Sequence, residues 1–165
     1  MIAPQLQAIL AALHQGGVKF ILIGGVAGNV HGSACVTYDL DIVDARDREN
    51  IRRRVEVLRP HSPYLRGAPP GLPFVFDEQT VRNGLNFTLI TAMGDFDLLE
   101  DVAGGGTFEE LLAHSETINH AQMTFQCVTL EVLIQLKRAA GRPKDLEMIA
   151  ELQAILEERK STGMR

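Results

Sequence analysis

Apolar and polar positions follow two periods along this chain, and the changes from one to the other mark out its elements. Between Gln5 and Leu13, residues Leu6, Ile9, Leu10 and Leu13 recur at helical spacing, and Gly16-Gly17 stops the run. Phe20 to Ile23 is a short continuous apolar stretch that reads as a buried strand. Gly24 and Gly25 end it, Ala27 to Val30 fit a short helix closed by His31 and Gly32, and Tyr38 to Val43 form a second strand. From Asp47 to Leu58 the period is helical again, with Ile51, Val55 and Leu58 as the buried stripe. The arginines of that segment, interspersed with Asp47, Glu49 and Glu56, read as a solvated face. Pro60, Pro63, Pro69, Pro70 and Pro73, with Gly67 and Gly71, make residues 61–73 a loop.

Strands resume at Phe74 to Phe76, at Leu85 to Thr91 and at Phe96 to Leu99, the last two an antiparallel pair turning at Gly94. Thr107 and Glu110 form a capping box for a short helix through Leu112, and Glu116 to Asn119 and Thr124 to Val128 are two further strands. The last third is helical. Thr129 caps Leu130 to Ala140, which buries Leu133, Ile134 and Leu136, and Gly141 ends it. After Pro143, Lys144 to Glu158 carries Leu146, Ile149, Leu152 and Ile155 inward. The pattern predicts an α/β (α+β) chain that finishes in a helical hairpin.

Composition narrows the picture only slightly. A length of 165 residues with 45% hydrophobic content suits one domain with a real core. A net charge of −5 gives no global case for nucleic-acid binding. Cys35 and Cys127 supply neither a metal set nor a disulfide framework, which fits a reducing cytoplasm. Met1 to Gln7 lacks the basic start and apolar core of a secretory leader, and no apolar run reaches the length of a membrane span. The expectation is a cytoplasmic protein without membrane contact.

The chemistry concentrates between Gly24 and Asp41. Side chains alternate along a strand, so Asp39 and Asp41 share one face while Leu40 and Ile42 enter the core. Adjacent carboxylates repel one another, and a divalent cation between them removes the repulsion. A Gly-Gly pair before a helix offers bare backbone N–H groups at a helix N-terminus, a natural seat for phosphate. Asp97, flanked by apolar Phe96 and Leu98, also faces away from the core. The stretch KRAAGRPKD gathers Lys137, Arg138, Arg142, Lys144 and Asp145, which by spacing alone is a helix hairpin with charged ends. Residues 95–116 hold seven acids and no Lys or Arg.

Gly24-Gly25, thirteen residues and then Asp39-Leu40-Asp41 together resemble the signature of the nucleotidyltransferase superfamily, the polymerase-β-like fold. Ala27 to Gly32 and the KRAAGRPKD joint resemble its small bacterial branch, which includes AbiEii-type toxins and the minimal nucleotidyltransferases of toxin–antitoxin pairs. The resemblance implies a mixed-sheet nucleotidyltransferase core over about residues 18–128, followed by C-terminal helices over about 129–158. It implies Asp39, Asp41 and Asp97 as metal ligands and catalytic acids for two Mg²⁺ ions, with Asp95 the rival for the third position. Gly24, Gly25, Thr37, Lys137 and Lys144 would contact the NTP, and Asp145, Arg142 and His31 are further candidates. The implied reaction moves an NMP from an NTP to the hydroxyl of a tRNA, a protein or a small molecule, in a toxin–antitoxin or defence setting. Cys35 departs from the pattern, because many relatives carry Arg two residues before the Thr. That departure leaves open a degenerate domain that binds nucleotide or a partner without turnover. A plain interaction module is a third reading.

Overall fold

The computed structural model describes residues 1–163 and is built on one seven-stranded mixed sheet in the order β3-β4-β5-β2-β1-β7-β6. Its strands are β1 (Phe20–Ile23), β2 (Asp39–Asp44), β3 (Tyr64–Leu65), β4 (Phe87–Thr91), β5 (Gly94–Leu99), β6 (Ser115–His120) and β7 (Met123–Val128). The helices are α1 (Pro4–Gln15), α2 (Gly24–His31), α3 (Arg48–Leu58), α4 (Glu78–Asn83), α5 (Phe108–Leu112), α6 (Leu130–Ala140) and α7 (Pro143–Thr162). β1 runs antiparallel to β2 and parallel to β7, and β2 runs parallel to β5. The central strand β1 is buried along its whole length, as its unbroken FILI sequence requires of a strand covered on both faces.

Alternation along β2 divides the sheet into two environments. Leu40 and Ile42 are fully buried on the face that α1 covers, where Leu6, Ile9, Leu10 and Leu13 pack without exposure. Asp39 and Asp41 lie on the opposite face. There α2 packs on β1 and β2, and α2, α6 and α7 pack against one another. Local signals set several boundaries as the sequence predicts. The Asp47 side chain accepts from the Asn50 N–H at 3.0 Å to start α3. The Thr107 N–H donates to Glu110 at 2.8 Å in the capping box of α5.

Four expectations give way. Phe74 to Phe76 is irregular chain rather than a strand, its aromatic rings stacking edge-on among Tyr64, Phe76 and Phe87 instead of joining the ladder. The proline-rich loop contributes the two-residue edge strand β3, and the helix α4, capped by Asp77, stands where no element was expected. Leu146 is 63% exposed, and Asp145 takes the inward position beside it. In α3, Arg52 and Arg53 do lie on the solvated face with Glu49 and Glu56, but Arg54 is fully buried against Asp44. Burial pushes the Asp44 carboxyl up to about 6 although Arg54 pulls it down. Arg54→Ala would leave that carboxylate buried without a counter-charge and should lower the unfolding free energy by about 3 kcal/mol. Urea denaturation checks this, with Arg52→Ala expected to leave the midpoint close to that of the parent protein.

Candidate active site

Sheet register brings the acids together. Asp39 pairs with Asp95 and Asp41 with Asp97 across the parallel β2–β5 ladder, so all four carboxylates stand on one face. One oxygen from each of Asp39, Asp41 and Asp97 lies within 4.8 Å of the others, close enough to share a divalent cation. Asp95 stands outside this set. Burial, with the neighbouring charges of Asp39 and Asp97, raises the Asp41 carboxyl to about 7 against the opposing pull of Lys137 and Arg142. Asp97 is raised as well, chiefly by burial, while the Arg66 guanidinium pulls it down. Such a set carries mutually repelling carboxylates at the spacing a divalent ion could bridge.

The two glycines form part of the first turn of α2 rather than a turn before it. Gly24 has φ +68°, and an added Cβ would land on the Asp41 carboxylate. At Gly25 a Cβ would land on the Thr37 side chain. The absence of both side chains lets the first turn of α2 approach Asp41 and Thr37 closely, at a helix end whose first N–H groups have no intrahelical acceptor. The Thr37 hydroxyl donates to Asp39 Oδ1 at 3.2 Å and holds that carboxylate in place.

A cleft of about 290 Å³ lies against this face, lined by Gly24, Gly25, Thr37, Asp39, Asp41, Lys137, Arg142, Lys144 and Asp145. The cations come from the α6–α7 joint. Lys137 is buried, with its ammonium 3.3 Å from Asp145, and Arg142 Nε reaches the same carboxylate at 2.8 Å. Burial opposes ionisation of Asp145, but the hydrogen bond from Arg142 and the charge of Lys137 hold its carboxyl below the ordinary range. Asp145 therefore aims two cations at the cleft while also facing the N-terminus of α7. A second hollow of about 300 Å³ shares Gly24, Asp41, Lys137 and Arg142 with this cleft and extends past Asp97 to Leu99, Asp101, Val102, Leu133, Leu136 and Ala140.

Of the residues singled out in the sequence, His31, Asp95 and Arg138 line neither hollow. His31 is buried, and its Nε2 lies 2.7 Å from the Val128 carbonyl oxygen. Cys35 lines the cleft, and its thiol donates to Glu151 at 3.1 Å. That bond raises the thiol above its ordinary range and keeps it protonated. Glu151 also accepts from the Ser33 hydroxyl at 2.5 Å and from the Ala34 N–H at 2.7 Å, fixing the approach to β2. Sequence reasoning missed two residues. Glu151 looks like any polar position of α7. Arg66 lies in the proline-rich loop, yet its Nη2 is 2.5 Å from Asp97 Oδ1 and its Nε 3.2 Å from Asp95 Oδ2. Only its isolation as the single arginine between Pro60 and Pro73, with no lysine there, marked it apart from its neighbours.

The sheet order and the acid-bearing β2–β5 pair give this chain the fold of the nucleotidyltransferases. It is similar to the lincomycin-bound lincosamide antibiotic adenylyltransferase LnuA, with a TM-score of 0.63 and 16% identity, over 94% of this chain and 98% of that one. It is also similar to a Thermotoga maritima protein, TM1012, whose description as a nucleotidyltransferase is provisional, with a TM-score of 0.56 and 18% identity, over 96% and 97% of the two chains. Residues 93–163 match a protein-family model described as "Nucleotidyl transferase of unknown function (DUF2204)". That span takes in Asp95, Asp97 and the α6–α7 joint but stops short of Gly24 to Asp41. No curated protein matches the sequence. Among the described residues no helix is long and apolar enough to cross a membrane.

The raised Asp41 carboxyl gives the metal-free protein a pH signature. A carboxyl raised in the folded state keeps its proton there after the unfolded chain has lost it. Stability should therefore fall as pH rises from about 4 to 7, and the loss should be complete above 7. Asp41→Asn should reduce that slope, leaving the part due to Asp44 and Asp97, and raise the stability of the metal-free protein at pH 8 by about 1–2 kcal/mol. Thermal melts in chelator at pH 5 and pH 8 provide the check.

Proposed function

We propose that this chain is a divalent-metal-dependent nucleotidyltransferase that moves an NMP from an NTP to an acceptor hydroxyl. The observation that carries the reading is the juxtaposition of the three-carboxylate set with the open α2 N-terminus, in the fold shared with an adenylyltransferase. Gly24 and Gly25 would receive the triphosphate through backbone N–H groups, and Lys137, Arg142 and Lys144 would offset its charge from the facing wall of the cleft. Asp39, Asp41 and Asp97 would hold the metal, Mg²⁺ by its hardness and oxygen preference, with two ions expected from the resemblance. When bound, the metal neutralises charge on the entering and leaving oxygens of an in-line displacement. The acceptor oxygen bonds to the α-phosphorus, the α–β bridge breaks, and pyrophosphate departs. Asp97 would take the acceptor's proton.

The second hollow adjoins Asp97, shares Lys137 and Arg142 with the phosphate cleft, and is the acceptor site in this reading. Its apolar wall of Leu99, Val102, Leu133 and Leu136 suits a small hydroxyl compound with an apolar part. The acid-rich span 95–116 would repel a polyanion such as tRNA. A toxin–antitoxin setting, with tRNA or a partner protein as acceptor, rests on the sequence resemblance alone.

The test is calorimetric titration of the four NTPs with and without Mg²⁺, on the parent and on the Asp39→Asn/Asp41→Asn double variant. NTP binding that needs Mg²⁺ and weakens at least about a hundredfold in the variant is expected, as for loss of two charged ligands. Absence of Mg²⁺-dependent binding to any NTP would overturn the reading. Binding without transfer of α-label to any hydroxyl acceptor would favour the degenerate binder that Cys35 motivates.

A further inference from the structure

Arg66 lies on the acid face, yet the proposed reaction gives it no part. Its backbone N–H donates to the Thr88 carbonyl at 2.9 Å, which fixes its Cα against β4, and its Nη2 also donates to the Leu89 carbonyl at 3.2 Å, a contact the side chain gives up when it moves. The guanidinium spans three carboxylates. Nη2 is 2.5 Å from Asp97 Oδ1, Nη1 is 3.8 Å from Asp39 Oδ2, and Nε is 3.2 Å from Asp95 Oδ2. Asp97 and Asp39 belong to the set of three that can converge on a cation, whereas Asp95 does not. The Nε–Asp95 approach is an ion pair without hydrogen-bond alignment, so Nε lacks a partner in this arrangement.

A guanidinium and a divalent ion cannot both neutralise the same carboxylate pair. Their mutual repulsion at such distances opposes double occupancy, and an oxygen engaged by Nη2 is poorly available as a metal ligand. We propose that Arg66 is a tethered cation that competes with the divalent metal for Asp39 and Asp97, and that metal loading swings its guanidinium onto Asp95. The proposal rests on the reading of Asp39, Asp41 and Asp97 as the metal set. Its functional consequence is selectivity for the loaded substrate over the bare ion. A bare cation must displace Arg66 unaided, whereas a metal–nucleotide complex also gains the phosphate contacts of Gly24, Gly25, Lys137 and Lys144. Arg66 is thus a positioning residue that sets the order of loading, metal arriving together with nucleotide.

The test is Mn²⁺ binding in the absence of nucleotide, read as loss of the free-ion electron paramagnetic resonance signal, on the parent, Arg66→Gln and Arg66→Lys. Arg66→Gln should bind Mn²⁺ about tenfold more tightly than the parent, in line with loss of a few partly exposed ion pairs. Arg66→Lys, which retains the charge, should stay close to the parent. Equal or weaker Mn²⁺ binding by Arg66→Gln would overturn this proposal and leave the metal set standing. Absence of Mn²⁺ binding to all three proteins would overturn the metal set and this proposal together. A measurement that needs no variant is the ¹⁵N resonance of Arg66 Nε in the parent during Mg²⁺ titration. It should move as the guanidinium leaves Asp97, and an unmoved resonance at saturating Mg²⁺ would contradict the swing.

Discussion

The site depends on a repulsion. The β2–β5 register sets Asp39, Asp41, Asp95 and Asp97 side by side on one face of a sheet, where burial deepens the mutual repulsion of their charges. The chain supports that arrangement with positive charge from two directions. Arg66 reaches in from the edge strand β3, and Lys137 and Arg142 reach in from the helical joint, oriented by the buried Asp145. Hydrophobic burial on the opposite face supplies the rigidity. Leu40, Ile42, Phe96 and Leu98 alternate with the acids along the two strands and lock them in register, because a slip of one residue would turn the acids into the core.

The same repulsion explains why Gly24 and Gly25 belong to the site. The carboxylate of Asp41 and the hydroxyl of Thr37 occupy the space where Cβ atoms would stand, so α2 can bring its first N–H groups close to the acids. A helix N-terminus carries partial positive charge, and here it faces partial compensation from the acids and an opening toward the cleft. Lys137, Arg142 and Asp41 border two adjoining hollows, one reaching Lys144 and the other reaching the apolar Leu99, Val102 and Leu133.

Much of this was legible in the sequence because it depends on short-range spacing. The D-x-D alternation fixes a shared face whatever the neighbouring strands do. The apolar–acid–apolar setting of Asp97 and the Gly-Gly before a helical run are also local. The KRAAGRPKD joint could be seen as charged, but its role in the cleft could not be read from spacing, because Asp145 and Leu146 exchange their expected environments. A leucine at helical spacing is read as inward, yet here the inward position goes to an aspartate that two cations neutralise. Arg54 misled in the opposite sense. It sits in a run of arginines that looks solvated, and only the distant Asp44 determines that it is buried. Arg66 and the strand β3 depend on pairing with β4 across an irregular, proline-rich segment, a long-range contact that carries no periodic signal. The short strand expected at Phe74 to Phe76 failed for a related reason, since three apolar residues pack equally well as an aromatic cluster without a ladder.

The central claim is that Asp39, Asp41 and Asp97 form one divalent-metal site facing the α2 N-terminus. The most direct measurement is a crystal structure grown with Mn²⁺ and a non-hydrolysable NTP analogue, with anomalous scattering used to locate the metal. The account predicts an anomalous peak within coordination distance of all three carboxylates, with the triphosphate at Gly24 and Gly25. Nucleotide bound with its metal elsewhere, or a well-ordered Arg66 still seated on Asp97 beside an empty cluster, would contradict it.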